Sequence, residues 1–75
     1  MELKQFISDF ANQFDNTDVS EISAETNYMD LDEWSSLTTL SVIAMAKTEY
    51  GKTITASEIR SCNTVEDLFK LVESK

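Results

Sequence analysis

Apolar residues at the start of the chain recur at helical spacing. Leu3, Phe6, Ile7, Phe10 and Phe14 fall at i, i+3, i+4, i+7 and i+11, while Asp9, Asn12 and Gln13 take the other sides. That period predicts an amphipathic helix over residues 2–14 with one face on a core. Residues 15–35 lose it. Asn16-Thr17-Asp18 has turn chemistry, and a short helical turn is expected near Ser20–Ile22. Ile22, Tyr28, Leu31 and Trp34 are widely spaced apolar anchors among polar residues, so this long loop is expected to be packed down. Loops of such length in compact domains tend to be functional.

Residues 36–50 predict the second helix. Leu37, Leu40, Val42, Ile43, Ala44, Met45, Ala46 and Tyr50 leave it few polar sides, the pattern of a helix buried on several sides or lining a cavity. Gly51 supplies its stop, and Lys47 suits the dipole of its last turns. A short helix over 55–61 follows, opened by the capping box Thr55-Ala56-Ser57-Glu58. Thr64-Val65-Glu66-Asp67 opens a last helix to about Ser74, with Val65, Leu68, Phe69 and Val72 on one face. The expectation is a single all-α domain over residues 1–75: three main helices, one short helix and a long first loop.

Composition narrows the chemistry. With 75 residues, no Pro and one Gly, a hairpin-rich fold is disfavoured, and only about 60% of the unfolded surface is buried. A two-walled catalytic cleft is hard to build from so little. Without His, imidazole catalysis and His-ligated zinc are excluded; a lone Cys62 excludes an internal disulfide and a CxxC pair. Cys62 itself reads as a small packed residue. No stretch approaches the roughly 20 apolar residues of a membrane span, and Met1-Glu2-Leu3-Lys4 has no signal-peptide character, so a cytoplasmic monomer is expected.

Charge is segregated. Nine acids (Glu2, Asp9, Asp15, Asp18, Glu21, Glu25, Asp30, Asp32, Glu33) stand against Lys4 in residues 1–33, whereas residues 34–75 balance five acids with five bases. Nothing supplies a basic footprint for nucleic acid or anionic membrane. Partners with basic docking surfaces are favoured, charge serving to orient and speed their encounter.

Chemistry concentrates at Asp32-Glu33-Trp34-Ser35-Ser36-Leu37, where two hydroxyls meet the start of the central helix. A helix N-terminus offers unpaired N–H groups and partial positive charge, so a phosphate diester attached there is stabilised. The plainer alternative is that Ser35 or Ser36 only caps the helix.

The run Trp34-Ser35-Ser36-Leu37, continued by Thr38-Thr39-Leu40-Ser41-Val42-Ile43-Ala44-Met45, resembles the acyl carrier protein family, and most of all freestanding carriers with a Trp-Asp-Ser-Leu motif. Glu49-Tyr50-Gly51-Lys52-Thr53-Ile54, Ile59-Arg60 and Thr64-Val65-Glu66-Asp67-Leu68 extend the likeness over nearly the whole chain. The resemblance implies a four-helix carrier bundle, not an enzyme, with 4'-phosphopantetheine attached covalently at Ser36. It implies that Leu37 and Leu40 pack beneath the arm and shape an acyl pocket, with Ile54 and Ile59 on its far side. The implied partners are a phosphopantetheinyl transferase of the holo-ACP synthase type, a loading enzyme for acyl or aminoacyl groups, and acyltransferases. The cargo would be held as a thioester, in a specialised pathway such as surface-polysaccharide or secondary-metabolite synthesis.

Two departures stand out. The Asp that usually precedes the attachment serine, expected to assist loading, is Ser35 here; Leu37 following directly favours Ser36 as the modified hydroxyl. The exposed side of the central helix, expected at Thr38, Thr39, Ser41, Lys47 and Thr48, carries acid only at Glu49. Docking is therefore expected at Asp30, Asp32 and Glu33. The competing reading is a helical interaction module that has lost its prosthetic group, with Ser36 only a cap. A Ser36 hydrolase is disfavoured, because nothing nearby activates the hydroxyl.

Overall fold

The first helix forms on the expected stripe but is shorter than it. A computed structural model describes residues 2–75, in which α1 spans Leu3–Ala11. The chain then tightens into a turn in which Gln13 N–H donates to Phe10 O and Phe14 N–H to Ala11 O, both at 3.1 Å. Phe14 reaches the core from this turn, so a helical stripe outlasts its helix.

Residues 12–35 form the long first loop, with 3₁₀ turns at Val19–Glu21 and Tyr28–Asp30. The first turn is closed by a capping box between Asp18 and Glu21. The loop is packed down by the anchors its sequence supplies: Ile22 and Tyr28 are buried, and Leu31 and Trp34 lie against the core. Its middle is also fastened by backbone bonds. Val65 N–H donates to Thr26 O at 3.0 Å and Glu66 N–H to Ala24 O at 2.9 Å. Two N–H groups that the start of α4 would otherwise leave unpaired are thus satisfied by the loop. The Tyr28 hydroxyl donates to the Ile59 carbonyl, with the Cys62 carbonyl 3.3 Å away.

The central helix α2 covers Ser36–Tyr50, the span expected for it. It ends at Gly51 in the left-handed conformation, φ 65°, where a side chain would be strained. Lys52 N–H then donates to Ala46 O at 3.1 Å, closing the helix end in the usual glycine-terminated manner. Helix α3 (Ala56–Ser61) and helix α4 (Val65–Glu73) both begin at the capping boxes the sequence announces. Glu58 N–H donates to Thr55 Oγ1 and Asp67 N–H to Thr64 Oγ1, each at 3.1 Å.

Helix α1 packs on α4 and α2, and α2 packs on α3. Phe6, Phe10, Tyr28, Val42, Ile59, Val65, Leu68 and Val72 are fully buried between them. Aromatic rings run through this core, with Phe6 5.5 Å from Phe69 and Phe10 5.7 Å from Tyr28. Each such pair adds about 0.5–1.5 kcal/mol beyond its buried area. The architecture is the expected all-α bundle of three main helices and one short one. Among the described residues, no helix is long and apolar enough to cross a membrane.

Candidate functional site

The start of α2 is held from below by Trp34. Its ring lies 5.0 Å from Tyr28 and 6.3 Å from both Phe10 and Phe14, so the end of the loop is anchored in the aromatic core. Ser35 follows in extended conformation and caps the helix, its Oγ accepting from Thr38 N–H at 3.3 Å. Two further bonds tighten this first turn. Thr38 Oγ1 donates to Glu33 O at 2.9 Å, and Thr39 Oγ1 donates to Ser35 O at 3.1 Å.

The cap is therefore Ser35 and not Ser36, which corrects the reading of Ser36 as a helix cap. Ser36 is the first residue of α2 and is exposed. With the cap supplied by its neighbour, nothing in the helix start requires the Ser36 hydroxyl. That hydroxyl stands at the positive end of a fifteen-residue helix, where a phosphate group fits electrostatically.

The leucines and threonines of α2 change places relative to expectation. Thr38 and Thr39, expected on the exposed side, are only 8% and 9% exposed, whereas Leu37 and Leu40 are 73% and 61% exposed. Val42, Met45 and Ala46 continue the inward face, and Ala44 is exposed. The threonines tolerate burial because each hydroxyl has a backbone carbonyl to bond, which leaves the methyl free to pack. Leu37 and Leu40 consequently stand outside the core, at the surface beside Ser36. Ile54 and Ile59, 2% and 0% exposed, lie inside it.

The acids expected at the junction also divide. Asp30 and Asp32 are exposed. Glu33 is half-buried, and its carboxylate is in use. It accepts from Asp15 N–H at 3.1 Å, Asn16 N–H at 2.8 Å and Thr17 Oγ1 at 2.6 Å. These bonds, the Thr17 hydroxyl first among them, hold its pKa below the ordinary glutamate range. Sequence reasoning placed Glu33 with Asp30 and Asp32 as a docking charge and missed these bonds, because its partners lie sixteen to eighteen positions earlier.

A groove of about 370 Å³ opens at the start of α2, lined by Gln13, Asp15, Glu33, Ser35, Leu37, Thr38 and Ser41 but not by Ser36 itself. Its lining comes from the two ends of the long loop and from the first two turns of α2. It holds two carboxylates and no cation, so it favours N–H donors over anions. Cys62 is half-buried at the other end of the loop's fastening, and burial raises its thiol pKa. It is a poor nucleophile there. The described residues contain no cluster suited to a metal ion.

A compact helical bundle whose central helix starts with an exposed serine free of the capping bond, and with no base to activate it, has the features of a carrier domain. The chain belongs to the phosphopantetheine attachment site family, whose model matches residues 3–72. Comparisons with curated proteins and with solved structures gave no match. The family implies a covalent 4'-phosphopantetheine group, a transferase that installs it and client enzymes that act on what it carries. The protein is thus a non-catalytic carrier. When bound, the cofactor supplies the thiol on which cargo is held, and the protein supplies the attachment hydroxyl and the surface around it.

Proposed function

We propose that Ser36 bears the phosphopantetheine and that the chain presents acyl or aminoacyl thioesters to separate enzymes of a specialised biosynthetic pathway. The observation that carries this reading is the division of labour between the two serines: Ser35 caps α2, and Ser36 is exposed and free of structural duty. Tethering on a flexible arm then gives each client a high local concentration of cargo. In this reading Leu37 and Leu40 flank the arm at the surface, while Ile54 and Ile59 belong to the closed wall between α2 and α3 that a long chain would have to part. The neutral outer side of α2 and the resemblance to freestanding carriers support surface-polysaccharide or secondary-metabolite synthesis over fatty-acid synthesis. Asp30 and Asp32 guide basic client surfaces; reversing both charges should slow association with a client, and an unchanged rate would remove them from docking.

The test is an intact mass after incubation with coenzyme A and a phosphopantetheinyl transferase. A phosphopantetheine increment is expected in the wild type and in Ser35→Ala, and none in Ser36→Ala. An increment that survives Ser36→Ala would move the attachment elsewhere. Ser35 caps α2 as an aspartate would, but without the charge. Ser35→Asp should therefore keep the cap and accelerate loading; an unchanged rate would show that the transferase does not read charge at this position.

A further inference from the structure

We infer that Glu33 is a positioning residue: its carboxylate clamps residues 15–17 to the segment that leads into α2, and so sets how Ser36 is presented for loading. This role rests on attachment at Ser36 and goes beyond it. The geometry is specific. One carboxylate oxygen, Oε2, takes Asp15 N–H, and the other takes both Asn16 N–H and Thr17 Oγ1. The same residue's carbonyl receives the Thr38 hydroxyl from the first turn of α2 at 2.9 Å. Glu33 thus ties the start of the loop to itself through its side chain and ties α2 to itself through its backbone. Three positions beyond it stands Ser36, and Glu33 lines the same groove as Ser35 and Leu37, the two neighbours of Ser36 in the chain.

No lysine or arginine is among these partners; the neighbouring charges, Asp15 across the clamp and Asp32 beside it, are negative. The carboxylate is held by N–H and O–H donors alone, and charge-assisted bonds of that kind are the stronger ones. A surface acid that served only to attract a basic client would not be committed to three internal donors. The clamp also explains how the loop is secured along its whole length. Tyr28 and the bonds to α4 fasten its later part, and Glu33 fastens its first residues, which contribute no large buried side chain between Phe14 and Ile22.

Positioning and docking predict different mutant series. Glu33→Ala removes all three acceptor contacts. Glu33→Gln can keep an oxygen for Asn16 and Thr17 but sets its amide against Asp15 N–H. Thr17→Val removes one partner and leaves every charge in place. Amide hydrogen exchange in the unloaded full chain should accelerate at Asn16 in Glu33→Ala, less in Glu33→Gln, and remain unchanged in Asp32→Asn. The rate of pantetheinyl transfer at saturating carrier should fall on the order of ten-fold in Glu33→Ala, within the hundred-fold that misplacement by about 1 Å can cause. Glu33→Gln and Thr17→Val should lie between it and the wild type, with salt dependence unchanged. If Asn16 exchange were indifferent to Glu33→Ala, the clamp would be refuted. Equal losses in Glu33→Ala and Glu33→Gln, confined to KM and absent in Thr17→Val, would make Glu33 a docking charge instead. A wild type that no transferase loads would overturn attachment at Ser36 and the positioning role with it, whereas the Asn16 exchange pattern would still decide the clamp itself. Should Glu33→Ala fail to fold, the order Thr17→Val below wild type decides between positioning and docking.

Discussion

The two faces of α2 near its start invert the usual order of polarity. Inward, Thr38 and Thr39 are buried with Val42, Met45 and Ala46; outward, Leu37 and Leu40 stand in solvent beside Ser36. The inner face is stabilised by packing from Val42 onward and by hydroxyl-to-carbonyl bonds before it. The outer face contributes little to the fold, which leaves its leucines free for contacts outside the bundle. The difference teaches that the start of α2 is secured by polar bonds on its inner side and the rest of the helix by apolar packing.

Substitutions along α2 test that contrast through urea unfolding. Met45→Ala opens the core and should cost about 2–5 kcal/mol. Ser35→Ala removes the cap and should cost about 1 kcal/mol. Thr38→Val keeps the shape but loses the bond to Glu33 O, and a similar or smaller loss of about 0.5–1.5 kcal/mol is expected. Leu37→Ala and Leu40→Ala should stay within about 0.5 kcal/mol of the wild type, as exposed positions do. If either leucine proved as costly as Met45, the outer face would be part of the core and the contrast would collapse.

Acidity sharpens the same comparison, with little effect near neutrality. The Glu33 carboxyl is more acidic folded than unfolded, so its contribution is complete above the ordinary glutamate value of about 4.3. It is lost as pH falls through the lower folded value. Glu58, bonded to Lys75, and Asp67, bonded to the backbone at Thr64, shift the same way. Stability should therefore fall on the acid side, and Glu33→Gln should flatten part of that fall. A Glu33→Gln profile parallel to the wild type would remove Glu33 from the acid response.

Much of the scaffold was legible. The bounds of α2, its glycine stop, the two threonine capping boxes and the four loop anchors all depend on neighbours within one turn or on plain apolar character. The face of α2 was not legible. A helix apolar nearly all round has no period to select its inward side, and Thr38 and Thr39 enter the core only because Glu33 and Ser35 offer them carbonyls. The bonds of Glu33 were hidden for a related reason, since two of its donors are backbone N–H groups and the third, the Thr17 hydroxyl, lies sixteen positions earlier.

By itself, then, the sequence determined the helices, their caps and the serine pair at the head of α2, because helix formation and capping are settled by contacts a few residues apart. The tertiary structure decided which residues of α2 turn inward and which acid is tied down. The donors that tie down Glu33 lie sixteen to eighteen positions away in the chain, and the inward side of α2 is chosen by the core it packs on, so both are settled only when the loop and helices come together.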